Sequence, residues 1–483
     1  MSVPDPQSVR SKINHPIVDS DGHVVESIPA IVEYMRRIGG SGVADRFTGS
    51  SPTYSSRDAP LLDRVDRDHP RTMRRAIPAW WTLPANTRDR ATAFLPRLLY
   101  ERLDELGIDF TVLYPSVGLT CMGHAEDDIR TVACRAVNLY LSDALNGLGD
   151  RMTAVAVIPA HMPEEAINEL DHAVVELGFK AVMFNSYVAR PLADLGPGAQ
   201  WLDVLGLDSI YDYDPVWARC VELGVAVTVH APTMGVELRQ SSTRYMYNHI
   251  GTFAASADAF AKALFFGGVA HRFPTLNVAF MECGVSWGVQ LLCDLIGRWE
   301  KRGGDHIDLL DPQRVDPGEW NDLLVRYGGD LFADASLRDA MRGQSDNPPE
   351  EVDDFRSCGI AGAEDIVAQF GRFYFGCEAD EATIAWAFAS GVNPQGAVLQ
   401  PVLGSDLGHW DVADMRAVLP EAYEMVENGQ LSADQFRAFT CDNAIRLHGG
   451  MNAAFFDGTA VESYARQILA APLDTQSPTV DAS

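Results

Sequence analysis

The sequence is short of positive charge, of long apolar runs and of paired cysteines, and each shortage removes a class of function. Thirty-eight Lys and Arg stand against 67 Asp and Glu, a formal charge of −29. The mean field therefore repels nucleic acid and anionic membrane surfaces, and neither is expected as a partner. Residues 1–12 carry no apolar h-region, and no stretch approaches the roughly 18 unbroken apolar residues of a membrane span, so a cytoplasmic protein is expected. The eight cysteines contain no CxxC pair and no framework spacing, which predicts buried thiols rather than disulfides or zinc fingers. What remains is ample: 483 residues, 47% of them hydrophobic, suffice for a large core in one long domain or two ordinary ones.

Short β-branched apolar runs alternate with helix-like stretches for most of the chain. Strands are predicted at 17–21, 109–114, 152–158, 181–184, 225–230, 276–281, 373–376 and 397–404, with helices at 95–106, 163–177, 215–223 and 260–266. Continuous apolar strands argue for parallel pairing with both faces covered, and eight such units close a (β/α)8 barrel. A doubly wound open sheet is the rival architecture. Two insertions interrupt the rhythm, one at about 39–90 rich in Arg, Pro, Ser and Thr, the other at about 303–371 rich in Asp, Gly and Pro. A single barrel over 1–472 with a polar tail at 473–483 is the expected organisation.

Polar residues recur where these strands end. Asp21-Gly22-His23 follows the first strand, and two ligands two apart on an extended segment point into one space. His230 ends the fifth strand, Glu282 the sixth, and Asp406 follows the eighth. Singly, these residues suit a turn, a core histidine, an ion pair and a helix cap. Together they lie where barrel enzymes build their sites, and an ionisable group at the end of a buried strand needs a partner or a cation. His249 is a further candidate ligand, catalytic residue or substrate contact, His409 a candidate partner of Asp406, and Glu378 an ion-pair residue.

These motifs resemble the amidohydrolase-2 family, which includes metal-dependent hydrolases and non-oxidative decarboxylases. Ile17-Val18-Asp19-Ser20-Asp21-Gly22-His23 is similar to its first-strand motif, and Leu103-Asp104-Glu105-Leu106-Gly107-Ile108-Asp109 to its approach to the second strand. Leu177-Gly178-Phe179-Lys180-Ala181-Val182 resembles the fourth, His230-Ala231-Pro232 the fifth, His271-Arg272-Phe273-Pro274 the lead into the sixth, and Gly404-Ser405-Asp406 the eighth. The resemblance implies that Asp21, His23 and His230 bind metal and that Asp406 is a ligand or proton carrier. The chain departs from the decarboxylase pattern at the sixth strand, where Glu282 replaces the usual histidine.

A carboxylate there suits a second cation. Two divalent ions, iron, manganese or zinc, would be offset by Asp21, Glu282 and Asp406 with room for a bound hydroxide. A dinuclear hydrolase of a carboxylic-acid derivative follows, similar to iron thioesterases of natural-product biosynthesis, with thioester ahead of ester, lactone or amide. The alternatives are a mononuclear decarboxylase of an aromatic or unsaturated acid and a catalytically silent barrel that serves as a binding partner. Lys180 precedes the fourth strand and Phe184-Asn185-Ser186 ends it, so no carbamylated lysine bridge is expected.

Gly284-Val285-Ser286-Trp287-Gly288 matches GxSxG between a strand and a helix, which offers a competing triad of Ser286, Asp406 and His448. It leaves Asp21-Gly22-His23 unexplained and lacks an oxyanion loop. The first insertion is expected over the barrel mouth, carrying Arg64, Arg67, Arg71, Arg74 and Arg75, which suit a substrate carboxylate or the phosphates of a coenzyme A thioester. Contact with another subunit in a homo-oligomer or with local Asp residues is the alternative. Trp80 and Trp81 would wall the small-molecule pocket or anchor the insertion.

Overall fold

The computed structural model describes residues 5–50, 83–192, 194, 196, 199–230, 241, 244–343 and 347–471. Ten strands are formed: β1 (Val18–Val24), β2 (Phe110–Pro115), β3 (Met152–Val157), β4 (Ala181–Phe184), β5 (Val188–Pro191), β6 (Gln200–Asp203), β7 (Val227–Val229), β8 (Val278–Phe280), β9 (Phe373–Cys377) and β10 (Gln400–Leu403). Eight of them pair in the order β1-β2-β3-β4-β7-β8-β9-β10, every pairing parallel. These are the eight predicted strands. Their residues are buried almost throughout, as strands covered by side chains inside and helices outside must be.

The sheet curls until its ends meet just past β10. The Asp406 amide donates to the Asp21 carbonyl at 2.8 Å, and the His23 amide to the Leu407 carbonyl at 3.0 Å. These bonds close a (β/α)8 barrel, and they do so at the two sequence motifs that carry the candidate ligands. The outer helices bury one stripe each; Asp127–Ala144 turns Ile129, Ala133, Val137 and Leu141 inward.

Three features depart from the sequence reading. β5 and β6 form an antiparallel hairpin between β4 and β7, pinned where Arg190 meets Asp203 at 2.8 Å. The helix predicted at 163–177 is α-helical over Pro163–Leu170 and continues as a π-helix over Asp171–Glu176. The second insertion is helical, and its helices Pro317–Gly328 and Ala335–Arg342 bury no residue. Arg64, Arg67, Arg71, Arg74, Arg75, Trp80 and Trp81, and the predicted tail, lie outside the described residues.

Candidate metal centre

Asp19, Asp21 and His23 alternate along β1 and are all buried. The period of two puts Asp21 and His23 on one face. Asp19 anchors the turn behind them: its Oδ2 accepts from Thr111 Oγ1 at 2.7 Å and Ser405 Oγ at 2.8 Å, and its Oδ1 from the Ser405 amide at 2.9 Å and the Asp21 amide at 3.2 Å. This one carboxylate ties β1, β2 and the end of β10 together. Gly22 makes the arrangement possible, because a Cβ there would sit 2.7 Å from both Asp19 Oδ2 and Thr111 Oγ1. The pairing register of β1 against β2 shifts between Asp19 and Gly22, which re-aims the residues that follow.

His230 follows β7, Glu282 lies two residues past β8, and Asp406 three past β10. Glu282 and Asp406 both have left-handed backbones, with φ of 54° and 48°. A non-glycine residue held there costs about 1–3 kcal/mol, and such strain gathers at functional sites. Gly376 lets the end of β8 come in close; a Cβ on it would lie 2.8 Å from Met281 Cα and 3.0 Å from the Glu282 amide nitrogen.

All five side chains converge. His23 Nε2 lies 3.5 Å from Asp21 Oδ1 and 3.4 Å from Asp406 Oδ1, and His230 Nε2 lies 3.1 Å from Glu282 Oε2. The His23 and His230 rings meet edge to face at 5.2 Å. Asp21 Oδ1 and His23 Nε2 are buried with no hydrogen-bond partner among the described residues. Lone-pair atoms facing one another across these gaps fit a cation, since metal bonds of about 2.0–2.2 Å place neighbouring ligand atoms about 3–3.5 Å apart.

The electrostatics agree. Burial, then the neighbouring His409 and His230, push the His23 pKa far below its usual range, leaving the neutral ligand form. Burial raises Asp21 well above the carboxylate range, with His230 opposing and Glu282 and Asp19 adding to it. Asp406 is also raised well above that range, by burial and then by Asp411, Glu282 and Glu378. Burial would raise Glu282 too, but His230, with His409 and His249 beyond, holds it below its ordinary value. So much negative charge is unfavourable here without a cation, and a bound divalent ion would invert that balance.

His409 stands beside this group as expected, Nδ1 2.6 Å from Asp406 Oδ1 and Nε2 2.9 Å from Ser116 Oγ, with its ring 3.9 Å from that of His23. His249 sits farther out, on the helix Tyr245–His249, between the rings of Tyr245 at 5.5 Å, Phe253 at 5.2 Å and Trp410 at 5.3 Å. Its imidazole joins Glu282 and Asp411 in a set whose donor atoms lie within 4.8 Å of one another.

Other sequence-predicted groups fall elsewhere. Lys180 Nζ donates to the Phe455 carbonyl at 2.9 Å, so its ammonium is held at the start of β4. His448 stacks on Phe455 at 4.5 Å and is therefore at that same end of the barrel, away from Asp406. The triad of Ser286, Asp406 and His448 does not assemble, and Ser286 simply opens the helix Ser286–Arg302. The ion-pair role expected of Glu378 is also corrected. Its charged neighbours are Asp411, Glu282, Glu381 and Asp380, and burial together with that repulsion pushes it up to about 9.

Sequence reasoning missed Asp19, Ser116 and Asp411. Asp19 carried a signal, being the first member of an Asp-x-Asp-x-His alternation on one strand. Ser116 carried the same strand-end signal as His230, since it directly follows β2, whereas Asp411 carried none, because a loop brings it in.

Comparisons with known proteins bear on the family and the fold. A family model described as amidohydrolase (Amidohydro_2) matches residues 18–306, from β1 through β8. Among curated proteins, "Decarboxylase orsB" of Emericella nidulans is 27% identical over 186 residues, 35% of this chain; the match spans only 50% of that relative's length. Among solved structures, an amidohydrolase from Mycobacterium avium subsp. paratuberculosis K-10 superposes with a TM-score of 0.51 at 17% identity, covering 90% of this chain and 100% of that one. A dihydroxybenzoic acid decarboxylase from Polaromonas sp. JS666, solved with manganese and 2-nitroresorcinol, reaches a TM-score of 0.47 at 14% identity over 92% and 100% of the two chains. With more than half of its length matched by the family model, on a barrel that gathers Asp21, His23, His230, Glu282 and Asp406 at one mouth, the chain belongs to the amidohydrolase family and is an enzyme.

Proposed function

We propose that the protein is a metal-dependent hydrolase of a carboxylic-acid derivative, a thioester in preference to an ester, lactone or amide. Asp21, His23, His230, Glu282 and Asp406 would hold two divalent ions, iron, manganese or zinc, all of which accept this mixture of imidazole and carboxylate. Such ions supply Lewis acidity, polarising a carbonyl oxygen and acidifying the water that attacks it.

The protein's own side chains do the rest. Asp406 Oδ1 takes the water's proton and passes it to His409 Nδ1, 2.6 Å away, which returns it to the departing sulfur as the acyl–sulfur bond breaks, while Ser116 Oγ holds the far ring nitrogen at 2.9 Å. Tyr245, Phe253 and Trp410 wall the outer side with aromatic surface, excluding water and packing the acyl group. Preference for a coenzyme A thioester rests on Arg64, Arg67, Arg71, Arg74 and Arg75, the most basic stretch of an acidic chain.

The observation that carries hydrolysis is Glu282, an anionic oxygen ligand suited to a second cation, 3.1 Å from His230 Nε2 at the strand end where the decarboxylase pattern has a histidine. The second reading is a mononuclear, non-oxidative decarboxylase of an aromatic or unsaturated acid, and similarity to "Decarboxylase orsB" favours it. A substrate panel separates the two. Thiol release from acyl thioesters, with no carbon dioxide from hydroxybenzoates, supports the hydrolase. The converse result transfers the protein to decarboxylation.

A further inference from the structure

Beside the ring formed by Asp21, His23, His230 and Asp406 lies a second group of donors, of which His249 and Asp411 enter no step above. His249 comes from the short helix Tyr245–His249, Glu282 from the end of β8, and Asp411 from the loop beyond β10. One donor atom from each lies within 4.8 Å of the other two. We propose that His249, Glu282 and Asp411 hold the second divalent cation, with Glu282 shared between the two ions. This rests on the hydrolase reading above and fixes where its second ion sits.

Charge is the first argument. Asp21, Glu282, Asp406 and Asp411 crowd one mouth, and none of them forms an ion pair with Lys or Arg among the described residues; the ion-pair partners of Asp21, Glu282 and Asp406 are imidazoles. A single divalent ion leaves that cluster strongly negative, whereas a second brings it close to neutral. Asp411 Oδ1 is a buried atom with no hydrogen-bond partner among the described residues, and the Asp411 carboxyl leans on that of Asp406, so its burial is met by another acid and not by a cationic donor.

Geometry is the second. A carboxylate bridges two cations by giving one oxygen to each, and Glu282 already directs Oε2 to within 3.1 Å of His230, on the side of the first site. Its backbone is left-handed, φ 54°, and its carboxylate shares one donor set with His23 and Asp406 and another with His249 and Asp411. His249 is pre-set: Tyr245 stacks on its face at 5.5 Å and an interplanar angle of 27°, while Phe253 and Trp410 close on it at 75° and 68°. Rings packed in this way leave the nitrogen-bearing edge as the part with a polar task. Three protein ligands also leave coordination positions open to water or substrate, as a catalytic site requires.

The test uses the full chain, reconstituted with manganese and freed of excess ion, and compares wild type with His249→Ala, Asp411→Asn and Asp21→Ala. Elemental analysis is read beside the electron paramagnetic resonance spectrum of Mn(II), with circular dichroism to confirm folding. The proposal expects two ions and an exchange-coupled spectrum in wild type. It expects one ion and the spectrum of isolated Mn(II) in both His249→Ala and Asp411→Asn. Two coupled ions retained in both variants overturn it, as does a wild type that binds one ion lost only in Asp21→Ala; in that case the metal-dependent reading stands. A wild type that binds none overturns this proposal and the proposed function together.

Discussion

Removing the Asp19 carboxylate should unravel the mouth of the barrel without touching a proposed ligand. Asp19 is fully buried and receives four hydrogen bonds, from Thr111 Oγ1, Ser405 Oγ and the amides of Ser405 and Asp21. In Asp19→Ala the two hydroxyls and the amides of Ser405 and Asp21 lose this acceptor, at about 1–3 kcal/mol for each donor left buried and unpaired. Rotation of the hydroxyls and entry of water relieve part of this, and the deleted charge was itself disfavoured by burial, which raises its pKa. The expected net loss is about 3–5 kcal/mol. Asp19→Asn keeps an oxygen for the two amides and offers a donor to hydroxyls that can accept, so its loss should be about 1–2 kcal/mol. Urea unfolding midpoints measure both, beside bound metal per chain, which should fall in Asp19→Ala because Asp21 and Ser405 are no longer tied. An Asp19→Ala protein within about 1 kcal/mol of wild type that keeps its metal would refute the reasoning, since burial of that size cannot leave so many bonds without effect.

Three further outcomes follow from particular residues. His230→Ala should fold normally, judged by circular dichroism, yet lose bound metal and more than about a hundredfold in turnover. Ser286→Ala should keep its metal and most of its turnover, because that serine only begins a helix; a dead but metal-replete variant would restore the nucleophile reading. His448, pushed down to about 3 by burial, stays neutral in the folded chain while the unfolded chain takes up a proton below about pH 6.5. Its contribution to stability is therefore complete above pH 6.5 and is lost as pH falls toward 3, at up to about 1.4 kcal/mol per pH unit. His448→Phe, stacked on Phe455 in the same way, should flatten the acid limb of a stability–pH curve; an unchanged limb would show that the imidazole titrates normally.

The barrel was legible because the strands after the first are largely continuous apolar runs, and continuity is what a strand covered on both faces needs. The same logic exposed His230, Glu282 and Asp406, since an ionisable residue ending such a run stands out against it. Asp19 was less visible. It lies within the first strand, where a buried aspartate looks like one more member of a motif until Thr111 and Ser405 are seen to donate to it. Asp411 reaches the site only through a loop, and the β5–β6 hairpin depends on the Arg190 to Asp203 contact, which no local period encodes. Glu378 was misread for the same reason: a lone acidic residue after a strand suggests a basic partner, and only the fold shows that its neighbours are other carboxylates.

The proposed metal-dependent mechanism is tested most directly by metal content. Protein purified without chelator should carry close to two iron, manganese or zinc ions per chain by elemental analysis, with most of that metal lost in Asp21→Ala. A wild type that binds no metal and still turns over its substrate would contradict it.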